Sequence, residues 1–180
     1  MARAYGEYLR RGATIAAVVI DSPGQNAAMV EKLALPFPIV SDPGGEYLIR
    51  PHGAWDPGGT MARPAIVVLS PAGEEAYRYV GADFMDRPDD GEVLAAIDHL
   101  GLSPVEATVT MVPHVAPSPG PRAMTLPNLG VYMRGVRFAM GAMAGRARDP
   151  FDRAEAERTA TMAEGFIAAQ AASVRVVAER

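Results

Sequence analysis

The feature that most constrains the fold is a near-continuous apolar run, Ala13–Ile20, followed at once by a helix start. Such a run is typical of a strand buried on both faces, which favours a parallel sheet covered by helices. The segment Ser22–Gln25 has the residues of a capping box with proline at the first helical position, so a helix is predicted to about Leu33. With a short strand predicted over Phe37–Ser41, the chain begins in β-α-β order, whose crossover should be right-handed.

A second pair of strands is predicted further along the chain. Ala65–Leu69 is wholly apolar, and Glu75–Val80 alternates polar and apolar residues, as a strand with one wet face does. The segment Ser70–Gly73 between them has hairpin turn chemistry. A helix that ends at Gly101 follows. Together these elements predict one α/β domain over residues 1–102.

The chain changes character after residue 102. Residues 103–122 contain five prolines, which predicts a linker or an extended arm. Two helices are predicted beyond it, roughly Leu129–Ala147 and Asp149–Ala178, and they favour an antiparallel helical hairpin over residues 123–180. The apolar side chains proposed as its interface are Leu129, Met133, Val136, Met140, Met143 and Phe166.

Charge is unevenly distributed along the chain. The formal net charge is -4, which argues against nucleic acid as a partner. Residues 122–148, however, contain five arginines and no acidic residue. The hairpin is therefore open to two interpretations. Its apolar side packs on the α/β domain or on the second helix, or else a basic amphipathic helix lies on an anionic membrane or a partner protein.

Few residues offer chemistry of their own. Cysteine is absent, which excludes disulfides, thiolate metal sites and thiol nucleophiles from this chain. The three histidines, His52, His99 and His114, lack metal-ligand spacing, so structural roles are predicted for them and no metal or cofactor is expected. The N-terminal residues lack the apolar core of a signal peptide, and the default prediction is a cytoplasmic protein.

Three segments resemble a known family. Gly12–Pro23, Leu35–Gly45 and Arg63–Gly73 are similar, in this order and at these separations, to segments of the peroxiredoxins, the alkyl hydroperoxide reductase/thiol-specific antioxidant family. The resemblance covers about ninety residues and does not reach the C-terminal helices. It implies a thioredoxin-like fold and an antioxidant oxidoreductase, a redoxin, in which a peroxidatic cysteine thiolate is oxidised by peroxide. Arg63 matches the arginine that lines the peroxide pocket in the family, and Pro64 supports it.

The chain departs from the family at its most important position. The family's cysteine motif lies at the start of a helix whose end would match Ala2–Arg11, and this chain begins after that point. We therefore expect an N-terminally incomplete, truncated thioredoxin-like domain. Without its central strand, the strands predicted at Ala13–Ile20 and Ala65–Leu69 must pair directly, or their edges must be filled by a partner chain. A homodimer is one way to fill them.

Two functional hypotheses follow. In the first, the chain is a peroxiredoxin-like family member that is catalytically silent as given, or a fragment of a peroxidase. In the second, it is a non-catalytic module that uses its basic C-terminal helices to bind a protein or a membrane surface. Fold alone does not decide between them.

Overall fold

The computed structural model describes residues 1–59, 61–106, 114–121 and 123–178, and for Arg3 it describes the backbone alone. The chain divides into two compact units, Met1–Pro119 and Gly120–Arg180. The segment predicted as a linker spans residues 103–122, and eight of its twenty residues, 107–113 and 122, lie outside the described residues.

The N-terminal unit contains helices and two small sheets. Its elements are a 3-10 turn at Ala2–Ala4, α1 (Tyr5–Arg10), β1 (Ala17–Val19), α2 (Pro23–Leu33), β2 (Ile39–Ser41), β3 (Ala65–Leu69), β4 (Glu75–Val80) and α3 (Asp90–Asp98). This mixture of helices and short strands agrees with the predicted α/β class. A run of turns, without an α-helix, occupies the segment between β2 and Trp55.

The β1-α2-β2 unit forms as predicted. Strands β1 and β2 are parallel, with Ala17 opposite Ile39. Helix α2 begins with a complete capping box, because the Ser22 side chain accepts from the Gln25 amide and the Ser22 amide donates to Gln25 Oε1 at 2.9 Å. Ala34, in the left-handed region at φ 46°, ends the helix. The residues that the sequence pattern singled out therefore do start this helix.

Strands β3 and β4 form an antiparallel hairpin. Val68 lies opposite Tyr77, and an irregularity follows between Val68 and Leu69. The Ser70 amide donates to Glu74 O at 2.7 Å and closes the turn. Helix α3 packs on both strands. The buried core of this part comprises Tyr8, Val68, Val93 and Ile97.

The two sheets remain separate in the described residues. Strand β1 pairs only with β2, and β3 only with β4, so the direct pairing expected between the two apolar strands is not observed there. Strand β1 is also shorter than predicted. Ala13 and Ile15 pack against the core around Tyr8 and Val68, which shows that the first half of the apolar run serves packing. An apolar run predicts that its side chains are buried, but it does not predict that the backbone pairs with another strand.

The C-terminal unit contains two long helices, α4 (Leu126–Arg146) and α5 (Pro150–Ala178). Helix α4 is capped by Thr125, whose hydroxyl accepts from the Asn128 amide at 3.3 Å. Two contacts show that the helices run antiparallel. Gln170 Nε2 donates to Leu126 O at 2.9 Å, and Arg137 lies 3.8 Å from Glu164.

Candidate functional site

Arg63 and Pro64 are fixed at the start of β3 by the end of β4. The Arg63 amide donates to Ala54 O at 2.7 Å, and its guanidinium donates through Nε and Nη2 to Gly81 O at 2.8 and 2.5 Å. In return, the Gly81 amide donates to Pro64 O at 2.7 Å. These contacts use two of the five N–H donors of the guanidinium, so the arginine is anchored and retains donor capacity for an anion.

Asp86 holds the loop that carries Gly81. Its carboxylate accepts from Tyr79 Oη at 2.6 Å and from the Ala82 amide at 2.7 Å. A Cβ added at Gly81 would lie 2.6 Å from Asp86 O, so this close approach of two backbones requires glycine. Sequence reasoning missed Tyr79 and Asp86, because no local spacing links a strand tyrosine to an aspartate in the following loop.

Asp42 organises the loop after β2. Its side chain is only 1% exposed and accepts amide hydrogens from Leu48 at 2.8 Å, Ile49 at 3.0 Å and Tyr47 at 3.3 Å. Burial opposes ionisation of this carboxyl, but the amide hydrogen bonds outweigh it and hold its pKa below the usual value. Asp42, which lies in the second of the three family-like segments, therefore holds the backbone of the loop after β2 in place.

A cation-π pair closes the same loop. The Arg50 guanidinium lies 4.0 Å from the centroid of the Trp55 ring, and Arg50 Nε donates to Gly44 O at 2.9 Å. Gly45 has φ 73°, and a Cβ there would lie 2.6 Å from the Trp55 ring. The loop between β2 and β3 is thus built around Asp42 and Trp55, next to the segment that ends in Arg63.

The arrangement supplies an anchored cation, and the chain supplies no thiol to go with it. The sequence contains no cysteine. Within the described residues, no group of three or more His, Asp or Glu side chains could hold a metal ion. His52 Nδ1 lies 4.0 Å from Glu75, and His99 Nδ1 lies 2.6 Å from Ala95 O. His114 is exposed. An anion could be bound at such a site, but peroxide reduction by the thiol mechanism of the peroxiredoxins needs a thiolate.

The interface candidates of the C-terminal unit occupy different environments. Met133 is buried, whereas Met143 is 51% exposed. The remaining candidates are half-buried: Leu129, Val136, Met140 and Phe166. Sequence reasoning missed a second apolar stripe on α4, which includes Val131 and Phe138 and is exposed.

The parallel β1-α2-β2 unit and the β3-β4 hairpin, with helix α3 packed on the hairpin, make the N-terminal unit an α/β structure. In the comparison with protein-family models, residues 1–77 match the AhpC/TSA family. The match covers 77 of the 180 residues and supports, for this part of the chain, the peroxiredoxin-like resemblance that its motifs predicted. Comparisons with curated proteins and with solved structures find no match. None of the helices in the described ranges is long and apolar enough to cross a membrane.

Proposed function

We propose that the N-terminal unit is a thioredoxin-like scaffold of the peroxiredoxin-like family that does not turn over peroxide as given. The observation that carries this proposal is the absence of cysteine from all 180 residues. Reduction of a hydroperoxide in this family requires a thiolate that becomes a sulfenic acid and is then reduced by a second thiol. Methionine can be oxidised once to the sulfoxide, but the protein alone does not restore it.

The two sheets support the thioredoxin-like assignment. A parallel β-α-β unit followed by an antiparallel hairpin and a helix is the order of elements that this fold would use. Each sheet consists of only two strands in the described part of the chain, so β1 and β3 each have an edge that a further strand could fill. In this proposal, a peroxidase would need its thiol from outside these 180 residues.

Arg63 is the residue that would face peroxide chemistry. Its guanidinium is held on Gly81 O, which fixes its position relative to β3 and β4. In the proposed scaffold this cation would stabilise a neighbouring thiolate, because a nearby positive charge lowers a thiol pKa. Pro64 supports the arginine through the hydrogen bond that its carbonyl accepts from Gly81.

A steady-state assay tests the proposal. The chain is mixed with hydrogen peroxide and dithiothreitol, and peroxide loss is compared with buffer and with the same amount of a cysteine-containing peroxiredoxin. We expect the rate with this chain to equal the buffer rate. A rate that rises in proportion to chain concentration and persists over many turnovers would contradict catalytic silence.

The second candidate function is a non-catalytic interaction or membrane-peripheral module in the C-terminal unit. The specific observation is that α4 contains three arginines and no acidic residue, while Val131 and Phe138 on it are exposed. Co-sedimentation of the full chain with anionic and with neutral vesicles at low salt distinguishes a membrane-binding module from a protein-binding one. Pelleting with anionic vesicles alone supports the membrane version, and pelleting with neither leaves the protein-binding version.

A further inference from the structure

Helix α4 is apolar on two opposite sides. One side contains Met133 and Ala144, which are buried, and α4 packs against α5. The other side contains an exposed stripe, which we call the outer stripe: Val131, Gly135, Phe138, Ala142 and Gly145. A contiguous exposed apolar stripe on the side of a helix away from its packed side indicates a further contact there.

The outer stripe has the spacing of a helix-helix seam. Its members follow one another at intervals of four and three residues, and none is charged. Val131 is 61% exposed and Phe138 is 66% exposed. A Cβ added at Gly135 or Gly145 would meet nothing within 4 Å, so the surface beside the two large side chains is open. Large side chains next to open glycine positions form the ridges and grooves that a second helix fits.

We propose that the outer stripe binds the outer stripe of a second copy of this chain, with the two α4 helices antiparallel. The order of large and small residues supports this partner. With Phe138 on the two-fold axis, Val131 of one copy lies opposite Gly145 of the other, and Gly135 lies opposite Gly141, next to Ala142. A large residue then meets a small one on both sides of the axis, as close helix packing requires.

The charges of α4 fit the same arrangement. Helical geometry places Arg146 of one copy beside Asn128 and Tyr132 of the other, where the guanidinium can stack on the tyrosine ring. The two copies of Arg134, which flanks the outer stripe, are ~12 Å apart along the axis and those of Arg146 are ~24 Å apart, both beyond the screening length of ~8 Å at physiological salt. Arg137 lies 3.8 Å from Glu164 of its own chain. Antiparallel helix dipoles also attract each other.

A parallel pair fits less well. It would put Val131 opposite Val131 and Gly145 opposite Gly145, which crowds one end of the seam and leaves a gap at the other. It would also bring both copies of Arg146 to the same level. A membrane is the other occupant to consider, but three of the five residues of the outer stripe are glycine or alanine, which offer lipid little apolar area.

The inference rests on the interaction role proposed above and is independent of peroxide chemistry. Because the chain has no cysteine, single cysteines introduced into the full chain report the register directly. A disulfide requires Cα atoms within ~7 Å of each other. In the antiparallel pair the two copies of residue 131 are ~21 Å apart, whereas residue 131 lies opposite residue 145.

The cross-linking experiment uses Val131→Cys and Gly145→Cys chains, each alone and mixed, under mild oxidation. We expect a covalent dimer in the mixture and at most one tenth of that yield from either chain alone. A Phe138→Cys chain is expected to cross-link with itself. Self-cross-linking of Val131→Cys, or no cross-linking in the mixture, would overturn the antiparallel pairing.

Sedimentation of the full chain gives a second readout that keeps the native surface. We expect the native chain to sediment as a dimer, at twice the chain mass of 19.0 kDa, and the Phe138→Asp variant to sediment as a monomer. Phe151→Asp is the matched control, because Phe151 is 72% exposed but lies on α5 outside the outer stripe, and it should stay dimeric. Circular dichroism confirms that both variants fold. A monomeric native chain, including one that pellets with anionic vesicles, or a dimeric Phe138→Asp chain would overturn the proposal.

Discussion

Arg63 shows how one residue can serve a family motif and the fold together. Its motif position predicted a pocket arginine, and in the structure its guanidinium donates twice to Gly81 O while its amide donates to Ala54 O. These contacts join the start of β3 to the end of β4. The motif located the residue, but its partners lie far away in sequence and could not be predicted from spacing.

The Arg63 contact predicts a measurable loss of stability. Arg63→Ala removes both guanidinium hydrogen bonds, and we expect the free energy of unfolding to fall by about 1 kcal/mol, since Arg63 is half-buried. Arg63→Lys should lose less, because it keeps one cationic donor. Urea unfolding measures both variants. An alanine variant as stable as the native chain would show that the contact with Gly81 contributes nothing.

Asp42 predicts a pH dependence with a definite sign. The pKa of its carboxyl is lower in the folded than in the unfolded chain, so the ionised carboxylate stabilises the fold. This stabilisation is complete above the unfolded-state pKa and is lost as the pH falls through the folded-state pKa. We therefore expect the stability of the native chain to decline below about pH 4. Thermal midpoints between pH 7 and pH 2 give the measurement.

Asp42→Asn isolates that contribution. The variant should melt several degrees lower at pH 7, because the amide group cannot accept from all three backbone donors, and the difference should shrink as the pH falls. Glu31→Gln, at an exposed position of α2, is the control and should follow the native curve. A constant difference between Asp42→Asn and the native chain at every pH would contradict this role of the ionised carboxylate.

Helix ends and tight turns were predictable from sequence because their signals are local. The capping box of α2, the β3-β4 turn and the start of α5 all depend on residues within a few positions of one another. Strand extents were less predictable, since half of the first apolar run packs on the core around Tyr8 instead of extending β1. Pairing between sheets and the choice of which α4 stripe is buried depend on distant residues, which spacing does not encode.

Two glycines with positive φ, Gly45 in the loop between β2 and β3 and Gly73 in the β3-β4 turn, make a matched pair of variants. Gly45→Ala and Gly73→Ala both force alanine into the left-handed region, at φ 73° and 84°, which costs roughly 1–2 kcal/mol each. The new Cβ at residue 45 also lies 2.6 Å from the Trp55 ring, whereas the one at residue 73 meets nothing within 4 Å. We therefore expect Gly45→Ala to lose more stability, and to change the fluorescence of the single tryptophan. Equal losses and unchanged fluorescence would refute the close contact.

The whole molecule combines a redoxin-like unit with a pair of long helices. The family resemblance of the first unit was predictable because three segments kept their order and spacing, and the family-model match over residues 1–77 agrees. The role of the second unit was not predictable, because long apolar helices serve many purposes. The proposed self-association through α4 gives that unit a role that needs no catalysis.

The central proposal is that this peroxiredoxin-like chain does not turn over peroxide, because it has no thiol. The most direct test counts the hydroperoxide molecules consumed per chain at completion, with excess dithiothreitol present and the spontaneous loss subtracted. The chain contains ten methionines, so we expect consumption to stop at or below ten equivalents, with matching mass increments from sulfoxide formation. Consumption that continues well past ten equivalents while the mass of the chain stays unchanged would contradict the claim.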